Sequence, residues 1–380
     1  MPPTVYRLAM YDRTRSVYEQ SPQLLPLYKF GSNYTLSTSG LIKVHVNRLS
    51  FAVSATDRFS NSTNPNGIYS ARLLLDGEVV SGFLLDNISY NETRYLNAHI
   101  DYRYKHSGGS YVQHIQPLPG DRSRVYESRE EEAVLVLNDN AIHDVRIEVR
   151  DAAQNLTSVT FKIQHIPSPQ ASRSSEANRL IPNERNVFEE EGFEVFTTEL
   201  AVYDTVPITY SQATASAAGT LSALHQFCSA AIPVHDSITV RIKAPATLTP
   251  TQRDKVLIKS VAGSRTVVQK ASWQNGWFMA RFRQLGTFQA FIDEEPPTIN
   301  APSPDLSKSS SIVFVPKDNF KAVKSFRAEL NGRWLRFTND KGVSHIYRFD
   351  DMFPRGEHQL KVVIEDVAGN KTTKIWNVRR

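Results

Sequence analysis

The residues able to do chemistry are ten histidines, one cysteine and two acidic triplets, Glu130-Glu131-Glu132 and Glu189-Glu190-Glu191. A zinc site needs three or four ligands converging on one point, which sequences signal as H-x-H, H-E-x-x-H or a His with an Asp four residues on. None of these spacings occurs, and the nearest approaches are His99-Ile100-Asp101, His143-Asp144 and His235-Asp236. On a helix Asp101 would face away from His99; only on a strand would the two share a face. Cys228 lies three residues after His225 with no acid to orient the pair, so a buried thiol is expected rather than a nucleophile. The acidic triplets read as solvated turns. No G-x-S-x-G elbow, phosphate loop or dinucleotide fingerprint is present. By its own motifs the chain argues for no catalytic residue, no metal ligand and no cofactor.

The elements that would have to position any site are strands. Val145-Arg146-Ile147-Glu148-Val149-Arg150 and Leu360-Lys361-Val362-Val363-Ile364-Glu365 alternate apolar and polar residues, as strands with one buried face do. Asp76-Gly77, Asn275-Gly276 and Asn331-Gly332 mark two-residue hairpins, where both positions need positive φ. Helical patterns are few: Asn91–Asp101 is the best and Thr251–Lys259 a second. The 380 residues, 40% hydrophobic and 22% charged, describe a globular multidomain chain and exclude a collagen-like or disordered one. No apolar run approaches the roughly 18 residues of a membrane-spanning helix, so no transmembrane segment is expected. Met1-Pro2-Pro3-Thr4 lacks the charged and apolar regions of a signal peptide.

Two stretches rich in Pro and Ser, Ile166–Asn186 and Asp293–Ser311, read as linkers. They divide the chain into domains over 1–165, 187–293 and 296–380. The net charge of +5 comes from the last of these, where 15 basic and 9 acidic residues give +6 against −1 for the rest, ending in Lys371, Lys374, Arg379 and Arg380. Such an end suits an anionic surface, but nothing resembles a nucleic-acid module.

The first and last domains repeat each other. Ser70, Arg72, Asp76 and Gly77 match Ser325, Arg327, Asn331 and Gly332 as S-x-R-x-x-L-[DN]-G, while Asp151 and Asn155 match Asp366 and Asn370 as D-x-A-x-N. Short polar side chains at these points fit tight connections between strands. The expected fold is therefore all-β: tandem β-sandwich domains, the first and last immunoglobulin-like copies, with a short helical insertion in the first. The insertion follows from spacing, since Gly77 precedes Asp151 by 74 residues but Gly332 precedes Asp366 by only 34. It falls near residues 81–132 and is rich in tyrosine and histidine. Long loops on rigid sandwiches are where function concentrates, although packing back over the neighbouring sheet is the favoured reading of this one.

Within and around the insertion, Asn66-Gly67-Ile68-Tyr69-Ser70, the Leu75-Asp76-Gly77 hairpin and Asn91-Glu92-Thr93-Arg94-Tyr95-Leu96-Asn97-Ala98-His99-Ile100-Asp101-Tyr102 occur in that order, followed by Pro119-Gly120 and the D-x-A-x-N hairpin. This order resembles the region after the catalytic domain in exported lysostaphin/LytM-type zinc metallopeptidases of Bacteroidota, from about Pro3 onward. The resemblance implies a cell-envelope location, periplasmic or outer-membrane associated, and a parent protein that cleaves peptidoglycan cross-links. The family's H-x(3)-D and H-x-H zinc ligands are missing here. Zinc is thus expected only in an upstream peptidase domain, which becomes the implied partner.

Three functions compete. The leading one is a non-catalytic accessory region that positions or regulates the peptidase domain, with Glu92, Arg94, Tyr95, His99, Asp101, Tyr102 and Tyr104 as interaction or interdomain residues. In it, Arg94 would pair with a carboxylate. The second is a module that binds carbohydrate, peptidoglycan or another cell-wall polymer through Tyr102, Tyr104, Tyr111, Trp273 and Trp277. The third is an enzyme using Glu92, Arg94 and His99, with Glu92 and His99 on one helix face.

Overall fold

The computed structural model describes residues 1–37, 40–58, 62–127, 133–167, 178–214, 219–245 and 247–380. The Glu130-Glu131-Glu132 triplet and residues 168–177 of the first linker lie outside them. The chain is all-β, with three β-sandwich units in tandem among the described residues.

In the first sandwich, the Thr4–Asp12 strand pairs with Arg48–Thr56 and Gln23–Leu25, and Arg48–Thr56 also takes Leu135–Val136 and Gln113–His114. The facing sheet runs Leu27–Phe30, Asn33–Leu36, Leu156–His165, Ile142–Arg150, Ser70–Leu75 and Glu78–Leu84, with Leu41–Val44 added parallel to Leu156–His165. Leu8, Met10, Phe51 and Val53 from one sheet close on Leu73, Phe83, Ile147 and Phe161 from the other. The opposite face of the first sheet carries Ala9, Tyr11 and Ala52, and these are also buried. They belong to a second core that includes Ala98, Val112 and Leu118 of the insertion and Val202, Tyr203 and Phe193 of the middle sandwich. Alternation is therefore lost in Arg48–Thr56, where seven consecutive residues are buried.

The middle sandwich stacks two five-stranded sheets, one centred on Ile238–Lys243 and the other on Gly286–Ile292. Its interior is aromatic, with Phe193 in ring contact with Phe188, Phe227 and Phe288. The last sandwich packs the sheet Arg333–Leu335, Val323–Leu330, Glu357–Asp366 and Lys371–Arg379 on a smaller one of three strands, around Phe314, Phe353, Leu360 and Ile364.

The repeat is visible bond by bond. Asp76 accepts the Asp144 N–H at 2.8 Å on a side-chain oxygen, as Asn331 accepts that of Gln359 at 2.8 Å. Asp151 takes the Asn155 N–H and amide at 2.8 and 2.7 Å, and Asp366 takes those of Asn370 at 2.8 and 2.9 Å. Asp76-Gly77 and Asn331-Gly332 both hold positive φ, as the hairpins require. The structure extends the match to Pro2-Pro3-Thr4 and Pro296-Pro297-Thr298: Thr157 donates to the Pro3 carbonyl as Thr372 donates to that of Pro297. Thr4 pairs with Thr56 as Thr298 pairs with Lys317. The repeated arginines differ in partner, Arg72 reaching Glu127 and Arg327 reaching Glu329.

Several expectations change. Thr251–Lys259 is not one helix: Pro250–Arg253 forms a single capped turn, and the apolar run from Val256 enters the Val256–Ala262 strand. Both stretches read as linkers are partly fixed. Arg179–Leu180 pairs with Val206–Pro207 and buries Leu180, while Asp293 and Leu306 are 2% and 3% exposed.

Replacing Asp151, which is 3% exposed, strands the Asn155 amide and N–H. Asp151→Ala is expected to cost about 2 kcal/mol, read as a lower urea midpoint at unchanged slope. An unshifted midpoint would deny the pair its structural role.

Candidate functional site

The insertion spans the gap between the Glu78–Leu84 and Ile142–Arg150 strands, and its helical part is three short pieces rather than one helix. A 3₁₀ segment over Tyr90–Tyr95 leads into one α-turn over Leu96–His99, then a second over Tyr102–His106. Asp101 caps the last turn, accepting the Tyr104 N–H at 2.9 Å, and its other oxygen accepts the Tyr11 hydroxyl at 2.8 Å. A capping residue thereby also ties the insertion to the first sheet.

Arg94 faces the middle sandwich. Its guanidinium donates to the carbonyls of His235 at 2.7 Å and Val234 at 2.9 Å, so its partners are backbone oxygens and not the carboxylate expected. The Tyr203 hydroxyl donates to the Arg94 carbonyl at 3.1 Å, and Tyr95 stacks on His235 with ring centroids 4.2 Å apart. Around this contact Arg13 pairs with Asp204 at 3.1 Å, both side chains nearly buried, and Arg179 grips Glu19 through two nitrogens. Gly120 donates to the Tyr203 carbonyl at 2.7 Å.

Glu92 and His99 do not form an acid–base pair in contact. Glu92 meets Arg124, while His99 is buried. The Gln113 amide nitrogen lies 3.0 Å from His99 Nε2, which makes that nitrogen the acceptor and leaves Nδ1 to donate to the Tyr126 hydroxyl at 2.9 Å. Burial, with His114 nearby, pushes the His99 ring down to about 3; burial, with Arg13 nearby, does the same to His114. Both rings are neutral core residues at physiological pH. Cys228 is buried as well, its thiol pushed up to about 11 by burial, and so is no nucleophile at neutral pH.

The aromatic residues do not form one platform. Tyr104 packs against the shared core, and the Lys105 ammonium lies 4.1 Å over Tyr111. Trp273 meets Phe278 edge-on with Arg253 over its ring at 4.2 Å, and Trp277 faces Arg241 at 5.0 Å. Tyr102 alone enters a concave site, stacked near His106 with centroids 6.1 Å apart.

That site is a cleft of about 370 Å³ between insertion and middle sandwich, lined by Arg94, Asn97, Tyr102 and His106 on one side and by Arg265 and Arg283 on the other. Among the described residues, no Asp or Glu lines it. Arg265 and Arg283 are exposed, and Arg283 is steadied by the Ser237 hydroxyl at 3.3 Å. Two exposed guanidiniums, with that of Arg94 already bonded to backbone carbonyls beside them, and an aromatic face suit a ligand that pairs carboxylates with a flat apolar surface. Sequence reading found Arg94 and Tyr102 but not Arg265 and Arg283, because no local spacing links a hairpin at residue 264 to a helix at residue 102. For metal, one group among the described residues has ligand atoms close enough to share an ion: Asp293, Asp318 and Asp366.

Residues 177–293, the middle sandwich, match the Zu5-like domain family. No curated protein matches the chain. Among solved structures, the chain is similar to SGBP-B of the mixed-linkage glucan utilization locus of Bacteroides ovatus, in complex with a mixed-linkage heptasaccharide (10% identity over 94% of this chain and 68% of that one, TM-score 0.16). It is similar also to fibronectin(III)-like modules of Clostridium thermocellum CbhA (5% identity, 89% and 87%, TM-score 0.16). A third is the human desmocollin-1 ectodomain (12% identity, 89% and 56%, TM-score 0.19). Likeness at this level says nothing of what the present chain binds.

Two outcomes follow from the joint. A Cβ on Gly120 would lie 2.3 Å from the Val202 carbonyl oxygen and 2.8 Å from Tyr203 Cα, both backbone atoms. Gly120→Ala is expected to pry the insertion from the middle sandwich, seen as faster proteolysis within residues 85–134; unchanged cleavage would refute the contact. The second concerns acid. The folded rings of His99 and His114 take protons only near pH 3, whereas unfolded histidine does so near 6.5. Stability is therefore full above about pH 6.5 and falls as pH drops toward 3, by about 1.4 kcal/mol per pH unit per ring at most. Urea midpoints from pH 7 to 4.5 should decline, and less steeply in His99→Gln.

Proposed function

We propose that this chain is a non-catalytic binding module of the cell envelope, which takes an acidic polymer segment in the cleft between the insertion and the middle sandwich. The observation that carries this reading is the cleft lining: Arg94, Arg265, Arg283, His106 and Tyr102, with no acidic side chain among them. Guanidiniums hold carboxylates through paired hydrogen bonds, and a tyrosine ring beside them offers a face for a sugar ring. The resemblance to the tail of peptidoglycan metallopeptidases supports cell-wall polymer as the ligand, since its peptide stems carry carboxylates.

The accessory role beside a peptidase domain is the second reading, and the fate of the E-T-R-Y segment favours it. Arg94, Tyr95 and Asp101 are spent on holding the insertion between two sandwiches, which is a positioning task. In both readings zinc belongs to an upstream domain and this chain cleaves nothing.

Retention on purified sacculi tests the proposal. The parent chain should be retained and released by salt, and an Arg265→Glu/Tyr102→Ala variant should be retained at least tenfold less. Equal retention of the two would remove the cleft from recognition. Zinc-dependent clearing of peptidoglycan by the chain alone would overturn the non-catalytic assignment.

A further inference from the structure

Where the middle sandwich hands over to the last one, three carboxylates meet, and no ion pair among the described residues neutralises them. Asp293 follows the Gly286–Ile292 strand, Asp318 lies between the last domain's first two strands, and Asp366 ends the Glu357–Asp366 strand. One oxygen of each lies within 4.8 Å of the others. Asp293 and Asp366 are 2% and 0% exposed. Among the described residues no lysine or arginine forms an ion pair with any of the three, and Lys324 and Lys371 pair with Glu365 instead.

Hydrogen bonds fix the orientation of each group and use only part of its oxygens. The Asn319 amide and the Glu295 N–H donate to Asp293 Oδ1, at 3.0 and 3.3 Å, while the buried Oδ2 accepts none. Phe320 and Ala322 N–H groups donate to Asp318 Oδ2, at 3.0 and 2.9 Å, while the buried Oδ1 accepts none. Asp366 takes one bond per oxygen from Asn370, and each oxygen keeps a lone pair. Two orphaned buried oxygens in a group of formal charge −3 cost several kcal/mol without a counter-charge.

We propose that Asp293, Asp318 and Asp366 hold one hard divalent cation, calcium in kind, which clamps the middle sandwich to the last one. The donors are oxygens only, with no histidine or cysteine in the group, which suits calcium rather than zinc. Two oxygens on opposite sides of a calcium ion stand about 5 Å apart, from bonds of about 2.3–2.6 Å, and the group falls inside that span. Burial, then the charges of Asp366 and Asp318, push the Asp293 carboxyl above its ordinary value, a strain that a bound cation reverses.

The first domain supplies an independent parallel. By the repeat, Asp57 corresponds to Asp318 and Asp151 to Asp366, and Asp57 Oδ1 is likewise buried without a partner. Among the described residues only Asp293, Asp318 and Asp366 bring three carboxylates together, so one ion is expected there.

The test uses the full chain, stripped with a chelator and titrated with calcium chloride by calorimetry and thermal unfolding. One equivalent of calcium should bind and raise the melting temperature by several degrees. Asp318→Asn should weaken binding at least tenfold while melting, without calcium, no lower than the parent, because it removes a like charge. Asp57→Asn should leave binding unchanged. The proposal falls if calcium gives neither heat nor shift in the parent, if Asp318→Asn binds as well, or if Asp57→Asn abolishes binding. An equal response to magnesium would overturn the assignment to calcium.

Discussion

The sheet built on Thr4–Asp12 is apolar on both faces, and the rest of the arrangement follows from the need to cover the second one. Leu8 and Met10 point into the first sandwich, but Ala9 and Tyr11 point out of it and are 0% and 1% exposed. Burying a side chain of tyrosine's size is worth roughly 2–3 kcal/mol, so an uncovered face would cost several such amounts. The insertion supplies one part of the cover through Ala98, Val112 and Leu118, and the middle sandwich the other through Val202 and Tyr203. Once two elements share that burial, their polar edges must match. Arg94 meets the free carbonyls of Val234 and His235, and Arg13 meets Asp204. A segment that reads as chemistry in the sequence is thus mostly the fastening of one core.

The legible parts of this molecule are those governed by local rules. Alternation in Val145–Arg150 and Leu360–Glu365, the Asp-Gly and Asn-Gly turns and the D-x-A-x-N closures depend on neighbours in sequence, and the structure shows each doing what its residues dictate. The Arg48–Thr56 strand shows where that stops. Its RLSFAVSAT sequence alternates weakly, because small residues such as Ala52 face a core assembled from residues 98, 112 and 203, which no window around it contains. The helical reading of Asn91–Asp101 located the right segment but not its form. Asn91, Thr93 and Tyr95 are poor helix formers, and Asp101 breaks the run by capping the next turn.

The candidate sites were harder to read for the same reason. Arg94 and Tyr102 stand in a recognisable motif, but Arg265 and Arg283 join them only through the docking of two domains. Asp366 stands in a closure motif with Asn370, whereas Asp293 starts a stretch that reads as a linker and Asp318 belongs to no motif. Sequence separations of 25 and 48 residues within that group carry no periodic signal. Acids without a spacing signature become meaningful only once burial shows that their charge has no outlet.

The two joints therefore differ in kind. The first is large, apolar and sealed by fixed ion pairs, and it sets the positions of the insertion and the middle sandwich without help from outside. The second is acidic, resting on Asn319 and Asn370 reaching Asp293 beside a ring contact between Phe291 and Phe320. The ion pairs Arg13–Asp204 and Arg179–Glu19 favour closure of the first joint, whereas like charges oppose closure of the second until positive charge arrives. The cleft belongs wholly to the first joint, since its arginines come from the insertion and from the middle sandwich. A ligand held by both sides binds only the docked form, and by linkage it strengthens that docking in proportion to its own affinity. Under the proposed function, recognition at the cleft and the burial of Tyr11 would draw on one interface.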